Sequence, residues 1–233
     1  METRTLLALE STGPISGVAL IQGGALLGAI RLQHGLNLSG SLLHATSWLL
    51  QRSQLTLPQV DAFAVDLGPG SFTGLKIGVM LAKTWAHVLE KPLVGVSAFE
   101  ACAALAPAGI SLLVALPARR DALYLQFMPK VAQAESSPPA MVRQAHLSDW
   151  IEHTLGEARI THQLLVIGTA QAHEWLQPLL PDALFQRIET PDPVGVAWAG
   201  WQRFQAGEMV HPFSLTPLYI QPPSITPPKP SRG

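Results

Sequence analysis

The sequence of 233 residues predicts an α/β protein, on three observations. Short apolar runs bounded by turn residues alternate with longer stretches whose apolar positions recur at three and four. Hydrophobic residues make up 48% of the chain and charged residues only 13%, which allows an ample core and suggests that part of the surface is covered by a partner. One stretch, Val65-Asp66-Leu67-Gly68-Pro69-Gly70-Ser71-Phe72-Thr73-Gly74-Leu75-Lys76-Ile77-Gly78, passes from an apolar run through a glycine-proline turn into a long apolar helix. That is a strand, a tight loop and a helix N-terminus in succession, whose free N–H groups can hold an anion or fix a sharp reversal.

Taken in order, Thr5 to Leu9 and Gly17 to Ile21 are apolar runs separated by the turn-like Glu10 to Pro14. Gly23-Gly24 supplies the positive φ of a hairpin, and Ala25 to Leu32 makes a third strand, so the chain opens as an antiparallel meander. After the polar stretch Gln33 to Ser39, the spacing of Leu42, Leu43, Thr46, Leu49 and Leu50 predicts an amphipathic helix to about Ser53. Ala62 to Asp66 is a buried strand. Thr73 is the expected N-cap of a helix from Gly74 to Glu90, and Pro92 ends it. Leu93 to Val96 is a fifth strand, and Ser97-Ala98-Phe99-Glu100 is a capping box opening a third helix.

The second half is less regular. Ile110 to Leu116 and Leu123 to Met128 read as strands around a polar turn, and Lys130 to Pro139 as an exposed loop. Ser148 caps a short helix to about Leu155, Leu164 to Gly168 is a strand, and Ala172 to Leu180 a helix. Asp192-Pro193 places a cap and a first-turn proline before the helix Val194 to Ala206, which Gly207 ends. From Pro212 onward, prolines forbid helix or inner strand; Leu218-Tyr219-Ile220 is expected as a last edge strand before an extended tail.

Composition excludes some functions. A formal net charge of −1, with no basic run longer than Arg119-Arg120, lacks the footprint of a stand-alone nucleic-acid binder. The single cysteine, Cys102, set among Ala101, Ala103, Ala104 and Leu105, fits a reducing compartment and a small buried hydrophobe. The opening residues lead into a strand rather than a signal peptide, and no apolar run approaches the about 18 residues of a membrane span. The expectation is a cytoplasmic protein with no membrane contact.

The glycine loop fails the tests for phosphate chemistry. In a P-loop the lysine directly follows the last glycine, but Leu75 separates Gly74 from Lys76. The dinucleotide pattern breaks at Thr73, and a nucleophile elbow would need its serine one place later than Ser71. The eight histidines, at 34, 44, 87, 146, 153, 162, 173 and 211, contain no metal-binding spacing; His44 and His87, on predicted helices, read as surface or interface residues. Glu10 and Asp66 are the only acids at predicted strand ends in the first half, at the sheet edge where α/β folds place ligands, which keeps a vestigial nucleotide site of Glu10, Ser11, Asp66, Gly68, Gly70 and Ser71 in view. What stands out is the helix beyond: Gly74, Gly78, Ala82 and Ala86 recur every four residues as a ridge without bulk, on a helix either sheathed within its own fold or shared with another chain; the reading taken here is the second, with the ridge outward for close approach by another helix.

Several stretches carry a family resemblance: Leu6-Leu7-Ala8-Leu9-Glu10-Ser11-Thr12 with Ser16-Gly17-Val18-Ala19-Leu20, the block Gly68 to Gly78, Pro92-Leu93-Val94-Gly95-Val96-Ser97, Ala115-Leu116-Pro117-Ala118-Arg119-Arg120-Asp121-Ala122-Leu123-Tyr124 and Pro217-Leu218-Tyr219-Ile220. Together they resemble the TsaB (YeaZ) family, the dimerization subunit in bacterial threonylcarbamoyladenosine synthesis, over most of the chain. The resemblance implies an actin-like ATPase (ASKHA) fold of two ribonuclease-H-like subdomains, 1–106 and a reduced 107–211, followed by the Pro-rich 212–233. It implies a non-catalytic scaffold for the paralogue TsaD, which transfers threonylcarbamoyl to N6 of the adenosine beside the anticodon in tRNAs reading codons that begin with A.

The family pairs through its first two helices, here about 40–53 and 74–90, which makes Leu42, Leu43, Thr46, Leu49, Leu50, Gly74, Gly78, Ala82, Trp85 and Ala86 the expected partner interface. A TsaE-type ATPase joins the assembly, tRNA is met through the complex, and the free chain is expected to form a homodimer. The resemblance assigns no catalytic residue, metal or cofactor, and leaves room for a nucleotide at a complex interface. Two departures accompany it: Glu10 stands where aspartate is usual, and Leu38-Ser39 where a histidine-serine pair is common. Both favour a scaffold over an enzyme. The alternatives are an ATP-dependent small-molecule kinase of the same superfamily, resting on Glu10, Asp66 and the glycine loop, and more remotely a metallopeptidase, against which the histidine spacing speaks.

Overall fold

Gly23 and Gly24 adopt φ of 59° and 82°, a conformation open to residues without a Cβ, and fold the second and third strands back on each other. In the computed structural model, which describes residues 3–33, 37–130, 135–156 and 163–220, β1 (Thr5–Glu10), β2 (Ile15–Gln22) and β3 (Ala25–Gln33) form the expected antiparallel meander. After α1 (Leu38–Arg52), β4 (Ala62–Asp66) pairs parallel with β1, α2 (Phe72–Val88) crosses over, and β5 (Leu93–Val96) pairs parallel with β4. The resulting sheet has the order β3-β2-β1-β4-β5.

The pattern then repeats. Following α3 (Ala98–Ala103), β6 (Ser111–Arg119), β7 (Ala122–Met128) and β8 (Ala140–Arg143) form a second meander. After α4 (Leu147–Leu155), β9 (Leu164–Gly168) lies parallel to β6. Then α5 (Ala170–Leu176) leads to β10 (Leu184–Arg187), and the sheet runs β10-β9-β6-β7-β8. Each sheet is a three-stranded meander extended by two parallel strands, the ribonuclease-H-like unit occurring twice in an actin-like arrangement. The last helix, α6 (Pro193–Gln205), lies within the stretch 107–211 in sequence but packs on the first sheet in space.

Strand alternation explains how the first sheet is buried on both faces. Leu7, Leu9, Val18 and Leu20 meet α1 and α2, while Leu6, Ala8, Ala19 and Ile21 meet Val196, Ala197 and Trp201 of α6. In the second sheet, Leu113, Leu123 and Val166 face α4 and α5; Val114, Leu116 and Ile167 face Phe99 and Cys102 of α3. Thus α3 joins the two halves.

Several expectations change. The cap of α2 is Ser71 rather than Thr73: the Ser71 Oγ accepts from the Gly74 N–H at 3.2 Å and its carbonyl from the Leu75 N–H at 2.8 Å, so the helix starts two residues early. His146, not Ser148, occupies the N-cap position of α4. The capping box at Ser97 and Glu100 and the cap at Asp192 form as read. The edge strands β8 and β10 went unread, and Leu218-Tyr219-Ile220 is not a strand; Leu218 instead donates one backbone hydrogen bond to the Leu67 carbonyl. His34, His162, part of the Lys130 to Pro139 loop and the tail beyond Ile220 lie outside the described residues.

Candidate functional site

The parallel pairing of β1 with β4 brings the ends of both strands together, and with them Glu10 and Asp66, both fully buried. Between them stands Thr12. Its N–H donates to Glu10 Oε1 at 2.6 Å, its hydroxyl lies 2.5 Å from the same oxygen, and that hydroxyl is 3.2 Å from Asp66 Oδ2. Asp66 Oδ1 accepts from the Gly68 N–H at 2.7 Å, while Glu10 Oε2 is buried without a hydrogen-bond partner. Burial raises the Glu10 carboxyl well above the ordinary range, and the neighbouring Asp66 adds to this. Burial likewise pushes Asp66 up to about 7 against the Gly68 and Thr12 hydrogen bonds. Thr12 was not among the residues singled out in the sequence, although it directly follows Glu10-Ser11.

Ser11 and the glycines explain the loop. The Ser11 hydroxyl donates to the Gly74 carbonyl at 2.9 Å, and the Ser71 N–H to the Thr12 carbonyl at 2.7 Å. A Cβ on Gly74 would strike the Ser11 carbonyl oxygen, one on Gly78 the Ser11 hydroxyl, and one on Gly70 would lie 2.5 Å from Thr12 Cβ. The small-residue ridge is therefore turned inward, seating α2 on the β1–β2 turn. This corrects the expectation of an outward-facing ridge: what the ridge approaches closely is its own sheet.

The six residues kept in view for a nucleotide do not build a phosphate cradle. Glu10, Ser11, Asp66 and Gly68 are buried, Gly70 and Ser71 are exposed, and the N–H groups of Gly68, Ser71, Gly74 and Leu75 are already donated within the loop. Of these donors the Gly68 N–H is spent on Asp66 Oδ1, the Ser71 N–H on the Thr12 carbonyl, and the Gly74 and Leu75 N–H groups on Ser71. The turn is also filled from the other side. Thr190 occupies the space a side chain on Gly13 would need, and Pro193 that beside Gly17. Among the described residues, no three histidine, cysteine or acidic side chains gather as a metal-binding group.

The expected interface residues divide sharply. Leu42, Thr46, Leu49, Leu50, Gly74, Gly78, Ala82, Trp85 and Ala86 are buried within the chain's own core, with the Trp85 ring tilted against Phe63 at a centroid distance of 5.8 Å. Only Leu43, at 45% exposure, faces solvent. The outer surface of the same two helices carries a different apolar set: Trp48 on α1, and Phe72, Met80 and Val88 on α2, with Val88 70% exposed. The signal that could have found them is their position on the helix: Phe72, Met80 and Val88 advance by about 80° per step and spread across the half of α2 opposite the glycines.

That surface is extended by the segment after α6. Lys83 Nζ donates to the Leu215 carbonyl at 3.1 Å, Phe213 meets His87 edge-on at 4.9 Å, and Tyr219 lies 6.1 Å from Phe72. Beside α1, a groove of about 900 Å³ against β3 is lined in part by Arg31, His44, Trp48 and Gln51. No helix among the described residues is long and apolar enough to cross a membrane.

Comparison with known proteins agrees with this geometry. Residues 36–142 match the family model described as TsaD, tRNA N6-adenosine threonylcarbamoyltransferase. A TsaB protein of tRNA threonylcarbamoyladenosine biosynthesis from Haemophilus influenzae is 28% identical over 207 residues, covering 88% of this chain and 77% of that protein. The TsaB protein of Bacillus subtilis is 33% identical over 100 residues, 43% of this chain, and the match spans 44% of its length, under half. The crystal structure of a Pseudomonas aeruginosa protein with similarity to peptidase YEAZ superposes with a TM-score of 0.79 at 22% identity, over 94% of this chain and 100% of that one. Fold, sequence relatives and family model converge on one likeness: the chain is similar to TsaB/YeaZ proteins over most of its length, and to TsaD over residues 36–142.

Proposed function

We propose that this protein takes part in forming N6-threonylcarbamoyladenosine in tRNAs that read codons beginning with A, as a non-catalytic subunit that docks and supports a TsaD-type threonylcarbamoyltransferase. The observation that carries the docking role is the set of exposed large apolar residues, Leu43, Trp48, Phe72, Met80 and Val88, on the outer surface of α1 and α2. Isolated exposed apolar residues are ordinary on a protein surface, whereas a set shared by adjacent helices is the surface a partner helix pair covers. The names of the sequence relatives support the pathway, and the match to a TsaD model over residues 36–142 supports a paralogous partner of like architecture.

In this reading the same face closes on a second copy of the chain when the paralogue is absent, a TsaE-type ATPase joins the assembled pair, and the partner makes the tRNA contacts. The net charge of −1 favours that division of labour. The closed arrangement of Glu10, Thr12 and Asp66 gives the kinase alternative no support, and the scattered histidines give none to a peptidase. Met80→Glu combined with Val88→Glu is expected to abolish co-elution with a TsaD-type paralogue while leaving the thermal midpoint in place. Undiminished co-elution would remove this face from the account. Bulky replacements of Gly78 or Ala82 cannot serve here, because both residues are packed within the chain itself.

A further inference from the structure

Thr12 has one hydroxyl proton and stands between two carboxyl oxygens. Glu10 Oε1 accepts the Thr12 N–H at 2.6 Å and lies 2.5 Å from the hydroxyl, and Asp66 Oδ2 lies 3.2 Å from it on the other side. The hydroxyl can donate to only one of the two carboxyls and offers the other a lone pair. Two oxygens facing each other without a proton repel, so both contacts are satisfied only if one of the two acids itself carries a proton. On Asp66 that proton's place is Oδ2, because Oδ1 is occupied by the Gly68 N–H.

The charged surroundings do not remove the need for that proton. From α3, Glu100 faces Asp66 and is itself held by Arg203 of α6 at 3.3 Å; the Cys102 thiol is buried nearby. At the start of α6, Asp192 faces Glu10 and is held by Arg31 of β3 at 2.6 and 2.9 Å. Among the described residues each nearby cation is thus engaged with an outer carboxylate, and none pairs with Glu10 or Asp66.

We propose that Glu10, Thr12 and Asp66 form a proton-held latch: a proton held by the Glu10–Asp66 pair across the Thr12 hydroxyl ties the end of β4 to the β1–β2 turn, and ionisation of both acids loosens the glycine loop and the first turn of α2. The loop is the element affected because Gly68 is hydrogen-bonded to Asp66 and Ser71 to Thr12. With both carboxyls raised in the folded chain, the folded state holds more protons than the unfolded one from the ordinary carboxylate range up to about 7. The latch's contribution is complete below that window and is lost as pH rises through it.

The test measures amide hydrogen-exchange protection of residues 68–75 in the full chain between about pH 5 and 8.5, for wild type and Asp66→Asn. The asparagine amide donates to Thr12 at any pH and so mimics the protonated latch. Loop protection in the wild type is expected to fall by about tenfold or more, while the variant changes by no more than about twofold and β9 stays constant in both. Equal behaviour of the two proteins, or a wild-type loop indifferent to pH, overturns the proposal. If Asp66→Asn does not fold, the infrared carbonyl band of the wild type decides. A buried protonated-carboxyl band near about pH 6.5 that disappears by about pH 8.5 supports the latch, and absence of the band at about pH 6.5 overturns it.

Discussion

At the scale of single residues, the turn after β1 is where the fold tolerates least change. Gly74 and Gly78 pack their backbone against Ser11, whose hydroxyl is anchored on the Gly74 carbonyl. Gly74→Ala should favour helix locally by about 1 kcal/mol, yet it drives a methyl group into a fixed carbonyl, and overpacking costs about 1–3 kcal/mol. A lower denaturant midpoint with unchanged slope is the expected result. Cys102 offers a second check. Burial raises its thiol above the ordinary cysteine value, so alkylation should proceed only as fast as the chain unfolds. The chemistry at this scale was half legible. Glu10 and Asp66 could be read as acids at strand ends, but the placement of Thr12 between them depends on β1–β4 pairing, which joins residues more than fifty positions apart.

At the scale of elements, periodicity identified α1 and α2 but not which way α2 faces. Its mean composition is apolar on nearly every side, and a ridge of small residues can approach a partner or the chain's own sheet equally well. The anchor that decides is Ser11, from a turn far away in sequence. The outer surface of α1 and α2 is therefore the face to perturb: Trp48→Ala and Met80→Ala should each shift the unfolding free energy by no more than about 0.5 kcal/mol while weakening partner co-elution. Asp192 carries a structural element of a different kind. Its carboxylate caps α6 through the Val194 N–H at 2.8 Å and also holds Arg31. Asp192→Ala should cost about 1 kcal/mol, read as a lower thermal midpoint. The strands β8 and β10 escaped sequence reading because four-residue edge strands of mixed polarity have no alternation of their own, and the neighbouring strand defines them.

At the scale of the molecule, two sheets of matching order flank α3, and a long return by α6 covers the first sheet. The first-half order of strands and helices was readable from turns, caps and prolines alone. The closure of the first turn by Thr190 and Pro193 was not, because it depends on the chain coming back from the second sheet. That closure leaves the chain with a buried acid pair at the sheet edge and exposed apolar residues on the outer side of α1 and α2, on which the proposed docking role rests. The most direct measurement is the threonylcarbamoyladenosine content of tRNA in cells depleted of this protein and supplied with either the wild-type chain or Met80→Glu/Val88→Glu. Depletion should lower the modification, the wild-type chain should restore it, and the doubly substituted chain should fail while accumulating to the same level. Unchanged modification on depletion, or full restoration by the substituted chain, would contradict the account.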